Sequence, residues 1–391
     1  MRPALVVAVL PLAVGLACAE SRQEGHWQGT TDTTASGAVV VRNTTGGLWD
    51  SASAWHLAEE LRIGSADDSG PGALSNPRAL EVDAAGRIYV VENQPMELRV
   101  YAPDGRYLRT LARSGSGPGE IQEAIGLAWD TLGHLWVVDQ RNARYTVFDT
   151  AGARLAERRR PVSTFFTWVW MGMLSRTGEV VEVSSVPGDG SFRQVALRLD
   201  SSLAARDTVP LPERQTPGFE LRRGSSRTIA GVPFAPSLLW RLDPRGYLWS
   251  SITDHYRVVQ QTLTGDTVRV IERTVPPVEV TSAEKDTGIA QLRWFTEQGG
   301  VVDRSRIPDV KPPISWFWVD DQGYVWTRRS QPAQATGTML DVFDPGGRFL
   351  GEVHAPLELG TTALIRGAAL YAIATDADDV PVIVRFRIRG R

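Results

Sequence analysis

The sequence is short of the residues that make most chemistries easy to recognise. It has one cysteine, Cys18, so an internal disulfide is excluded. Its only lysines are Lys285 and Lys311, and a formal charge of −3 over 391 residues gives no single-sign field of the kind that draws nucleic acid. The five histidines, at 26, 56, 134, 255 and 354, fall in unrelated segments, and no pair has the spacing of zinc ligands. No Gly-x-Ser-x-Gly elbow is present for a serine nucleophile. The glycine-rich run from Gly115 to Glu120 lacks the Lys-Ser/Thr of a phosphate loop. No residue is nominated as catalytic or as a metal ligand, and no cofactor is expected.

What is present is repetition. LEVDAAGRIYVVEN from Leu80, followed by LRVYAPDGRYL from Leu98, is rewritten as LAWDTLGHLWVVDQ from Leu127 and YTVFDTAGARL from Tyr145. Each copy holds short apolar or alternating runs punctuated by Asp-x-x-Gly and Asp-Gly turns, where glycine accepts the positive φ of a tight hairpin. Gly86 and Gly133 lie 47 residues apart, a period that suits a four-stranded blade needing neighbours on both faces. Further copies follow from Trp168, Leu238, Ser315 and Ala363, which makes six. The turn glycines Gly86, Gly133, Gly178, Gly246, Gly323 and Gly367 are separated by 47, 45, 68, 77 and 44 residues. Two joints therefore carry extra chain, within about 206–236 and 272–313. The second contains the one convincing helix, with Ser282 as N-cap, Lys285 to Glu297 as body and Gly299 as stop.

The predicted fold is all-β: a six-bladed β-propeller over residues 37–391 with one short inserted helix. The last blade ends at the C-terminus wanting a strand. VVVRN from Val39 and HLAEELRIG from His56 have no blade of their own and are expected to close it, which removes a free sheet edge.

Residues 1–19 are laid out as an export signal, with Arg2 followed by an apolar run from Ala4 to Ala17. Gly15-Leu16-Ala17-Cys18 resembles a lipoprotein cleavage box, with Cys18 the acylated residue, although Gly15 replaces the usual leucine. Alternatively Ala17-Cys18-Ala19 is a small-x-small site and Cys18 leaves with the signal. Residues 20–36 read as a flexible tether. These features imply an exported, cell-envelope protein, held to the outer membrane by a lipid, or else periplasmic or secreted.

The glycine-rich connectors GSADDSGPGALSNPRALEVD from Gly64 and RSGSGPGEIQEAIGLAWD from Arg113, each leading into D-x-x-G-x-[IL]-[YW]-V-V-[DE], resemble those of NHL-repeat proteins. The resemblance implies a six-bladed propeller of the NHL-repeat or TolB-like class, of the exported bacterial lipoprotein type. It implies no single activity, because this architecture serves receptors, scaffolds, lactonases and lyases alike.

The turn aspartates Asp83, Asp130, Asp243 and Asp320 are expected to bind backbone N–H groups of their own turns. Two residues before each, and at the matching place before Ser175 in blade three, on the inner strand and on the face away from the inter-blade core, stand Glu81, Ala128, Met173, Arg241 and Trp318. Glu81, Arg241 and Trp318 are the channel-lining candidates. The expected function is a non-catalytic binding or scaffold propeller that recognises a protein, peptide or glycan through the face bearing the two insertions, with the membrane reached through the lipid. The alternative is a metal-dependent hydrolase or lyase centred on the channel, lactonase-like or amidating-lyase-like, which would need calcium or zinc.

Overall fold

The computed structural model describes residues 27–161, 170, 172–175, 179–187, 192–212 and 217–391. The expected signal segment, Cys18, His26, Trp168 and Gly178 lie outside the described residues.

Six four-stranded antiparallel units surround a central channel, and together they form a six-bladed β-propeller. Blade one is Pro77–Val82, Ile88–Asn93, Met96–Tyr101 and Tyr107–Arg113. Blade two is Ala124–Trp129, Leu135–Asp139, Arg144–Phe148 and Arg154–Arg159. Blade three is complete, although its inner strand is only Met173–Leu174. Blade four begins at Leu238–Leu242 and ends at Thr267–Arg273. Blade five runs from Ile314–Val319 to Phe349–Ala355. Blade six has Glu358–Arg366, Ala369–Thr375 and Pro381–Arg389, and its outer strand is His56–Ile63 from the other end of the chain.

The expected closure is thus made by the His56 strand alone. Val39–Asn43 goes instead to blade four, where it pairs in parallel with Thr267–Arg273. Gly29–Thr33 then adds outside it, so the C-terminal part of the expected tether is a strand. Asn43 fixes this docking. Its side chain, 2% exposed, donates to Glu272 O and Gly347 O, and its oxygen accepts from Phe349 N and the Trp27 indole. A buried amide needs such partners, and they are found together where the outer strand of blade four, with Glu272, meets blade five, with Gly347 and Phe349.

The turn motif explains why the blades repeat. In each of four blades one aspartate oxygen accepts backbone N–H groups two and four residues on, as with Ala85 and Arg87 at Asp83. The other oxygen accepts the indole N–H of Trp136, Trp249 or Trp326, or the hydroxyl of Tyr89. These rings are at most 6% exposed. One carboxylate therefore shapes the hairpin and satisfies the single polar atom of the largest packing residue in the next strand.

Strand alternation puts the Asp-x-x-Gly turns at one end of the channel, here the turn face, and the blade-to-blade connections at the other, the linker face. Both insertions leave from the linker face, and they fold together. A hairpin of Gly218–Arg223 and Ser226–Gly231 packs against two helices, α1 (Ser282–Ala290) and α2 (Arg293–Thr296). Phe219, Ala230, Val232, Phe295 and Ile307 form their shared core. The single expected helix is broken at Gln291–Leu292, which turns Phe295 inward to full burial. Its N-cap is Thr281 rather than Ser282, because Thr281 and Glu284 complete a reciprocal capping box. The two lysines of the chain are spent here. Lys285 binds Ile307 O and Asp309, and Lys311 binds Glu284 and Gln331 O of blade five.

Candidate functional site

All six inner strands contribute to one cavity of about 580 Å³ in the channel. It extends from Leu238, at the linker-face end of its strand, to Pro244 in the Asp243 turn. Glu81, Arg241 and Trp318 all line it, and so do Ala128 and Met173. Trp129, Leu174, Leu242 and Val319, each one residue further along and so on the opposite face by strict alternation, reach the wall as well. Converging, twisted inner strands present parts of both faces where they end, so the period of two separates the faces less cleanly there.

Glu81 meets a residue that the sequence pattern did not single out. Arg366 of blade six places Nη2 2.8 Å from Glu81 Oε2, and its Nη1 donates to Val82 O at 2.5 Å. Blade six ends its inner strand in a tight hairpin at Gly367 without the Asp-x-x-Gly ruler, which is why Arg366 escaped the alignment of blades. A charge in the inner strand immediately before a turn glycine was the available signal. Burial pushes the Glu81 carboxyl above the usual carboxylate range, and Arg366 opposes that rise without cancelling it.

Arg241 lies elsewhere in the ring. Its guanidinium carbon sits 3.8 Å from the centre of the Trp316 ring, and Nη1 donates to Trp240 O at 2.6 Å. Burial lowers its pKa to about 9, and the charge of Arg328 adds to the effect. The Trp316 and Trp318 indoles both donate to Thr361 O, at 2.9 and 3.0 Å, so two aromatic walls are held by one carbonyl of blade six. Trp170 completes the opposite wall by packing on Gly126, where a Cβ would come within 2.5 Å of it.

Metal ligands do not converge here. Among the described residues Glu81 is the one carboxylate on the wall, and no histidine lines it. Among the described residues no group of three or more His, Cys, Asp or Glu is placed to hold a metal ion. His134 and His255 pair with Asp130 and Asp254 at their own turns, and His354 contacts Thr336 O. The cavity can therefore bind and orient through aromatic faces and guanidinium groups. It offers one carboxyl for proton transfer.

No helix among the described residues is long and apolar enough to cross a membrane. No protein-family model matches the chain, and no curated protein matches it in sequence. Among solved structures it is similar to a protein of Bacteroides fragilis named as an inferred exported protein, at 13% identity and a TM-score of 0.52, over 90% of this chain and 99% of that one. A DUF4221 family member from Bacteroides vulgatus gives 10%, 0.49, and coverage of 86% and 99%. A gluconolactonase from Xanthomonas campestris gives 13%, 0.44, and coverage of 81% and 86%. The first likeness establishes the fold alone, and scores below 0.5 add nothing to it: the chain is a six-bladed β-propeller.

Proposed function

We propose that the chain is an exported, non-catalytic binding propeller of the NHL-repeat or TolB-like kind. It is held at the cell envelope by a lipid on Cys18, and it recognises a protein, peptide or glycan through its linker face. The observation that carries this reading is the composite module. Two insertions far apart in sequence share one core, and they leave large apolar side chains in solvent. Of the seven large hydrophobic residues that are exposed among the described residues, Ile229, Trp294, Val301 and Val310 belong to these insertions. A half-exposed tryptophan on a module that already has a core is what a recognition surface presents.

The test replaces Trp294 with a photoreactive aromatic residue in the producing cell, beside the same replacement at Leu132 and Leu155, which are exposed on blade two. A discrete adduct at position 294 alone supports recognition at the module. Equal adducts at all three positions, or none, count against it. Intact mass of the membrane-extracted protein reads the lipid on Cys18 independently.

The enzyme reading, a metal-dependent hydrolase or lyase in the channel, rests on Glu81, a carboxyl with a raised pKa inside a cavity. One calcium or zinc per chain in the purified protein, with turnover of a lactone, would reverse the order of the two readings.

A further inference from the structure

We infer that the linker face is turned toward the membrane that anchors the chain, and that the composite module rests its exposed apolar side chains in the lipid headgroup layer. The inference rests on the anchor at Cys18 and goes beyond recognition of a partner. Its first support is the route of the chain. Strand Gly29–Thr33 sets Gly29 opposite Asn43 and Thr33 opposite Val39, and Asn43 pairs with Arg273, the last residue of blade four's outer strand. Gly29 is therefore at the linker-face end. Trp27, two residues earlier, gives its indole N–H to the Asn43 side chain at 2.8 Å, and the Asn43 carbonyl accepts from Thr274 N, where the second insertion begins. The tether and the module thus leave the propeller at one corner.

Lengths decide which face this turns down. Nine residue steps separate Cys18 from Trp27, and however extended they reach at most about 30 Å. Turning the other face to the membrane would send the tether back along the seven residues of Thr267–Arg273, roughly 23 Å. Little chain would remain to meet the bilayer. The surface presented at the linker face suits a lipid interface. Trp294 is half-exposed, and tryptophan settles at headgroup level because its ring is apolar and its N–H is not. Ile229, Val301 and Val310 add apolar area, with which interfacial binding scales. Charge contributes little, because residues 217–236 and 274–313 hold eight basic side chains against seven acidic ones. The contact should therefore form on neutral lipid and survive salt.

The experiment uses the exported chain, Cys18 to Arg391, coupled to phosphatidylcholine vesicles through a maleimide lipid. Cys18 is the only cysteine, so it alone is coupled. A coumarin amino acid replaces Val301 on the module or Leu132 in the Asp130 turn, two positions equally exposed at 78%. Nitroxide carried on the lipid headgroups is the quencher. Expected is loss of emission at position 301, unchanged in high salt, with emission at position 132 retained. Equal quenching at the two positions, quenching at 132 alone, or loss of the effect in high salt overturns the inference. So does quenching at neither, which would leave the apolar side chains of the module to a protein, peptide or glycan. A probe at Ile229 gives the same reading where the Val301 variant fails to fold. Because the lipid is attached chemically and no partner is present, the result stands whether or not the cell acylates Cys18, and whether or not Trp294 cross-links to a partner.

Discussion

Two sets of buried charge in this propeller look alike on paper and differ in kind. At the boundary of blades four and five, Asp341 receives the Tyr256 hydroxyl at 2.5 Å and faces Arg273, with Arg329 at 3.6 Å. Thr327 also meets the Tyr256 hydroxyl, and the Phe349 ring lies 3.6 Å from the Arg273 guanidinium carbon. Tyr256, Arg273, Thr327 and Asp341 are all buried. In the channel, the Arg366 side chain is 39% exposed and its partner Glu81 15%. The first cluster joins two blades through groups that serve each other. The second opens onto space. Burial alone does not mark a functional charge; what matters is whether the remaining valence of the group points into protein or into a cavity.

That difference can be broken from its closed side first. Arg273→Met should cost about 3–5 kcal/mol in urea unfolding, because it leaves the Asp341 carboxylate buried against a lost partner. Tyr256→Phe removes one donor from the same carboxylate and should cost roughly 1–3 kcal/mol. It should add less than its full value to Arg273→Met, because both act on Asp341. A fully additive double mutant would show that the two blades are not joined there.

The channel side gives smaller effects with a definite sign. Glu81 has its pKa raised in the folded state, so the fold holds that proton more tightly than the unfolded chain does. Its contribution therefore declines as pH rises from the ordinary value of 4.5 through the raised one. Glu81→Gln should lack that decline, so its stability relative to the parent should improve between pH 4 and pH 8 by about 1 kcal/mol or less. A relative loss over the same interval would mean that the pair with Arg366 outweighs burial. Smallest of all, Trp294→Ser should change stability by less than about 0.5 kcal/mol, since the ring lies outside the module core.

The parts of this fold that were legible in the sequence are those encoded within a few residues. Asp83 and Gly86 specify a hairpin wherever they recur, so the six blades and their inner strands could be laid out in order, and Glu81, Arg241 and Trp318 could be assigned to the channel. Long-range choices left weaker marks. VVVRN from Val39 is as good an edge strand for blade six as for blade four, and the decision rests on Asn43, whose partners in blades four and five are more than two hundred residues away. The bonds of Asp130, Asp243 and Asp320 to their tryptophans were hidden for a different reason. Packing accounts for a buried indole so fully that its one N–H drew no attention. The module core was invisible because its residues are divided between two segments far apart in the chain; Phe219 and Phe295 make sense only together.

The closure of blade six also governs when this protein can exist. His56–Ile63 pairs with Pro381–Arg389, and Arg387 reaches Glu60 across 327 residues of chain. No N-terminal fragment emerging from a ribosome or a translocation pore can complete the ring, and pairings of such long range are slow to form. Until the last strand arrives, His56–Ile63 remains an unpaired edge. The ring is therefore late to commit: it closes only when Pro381–Arg389 is free to meet His56–Ile63.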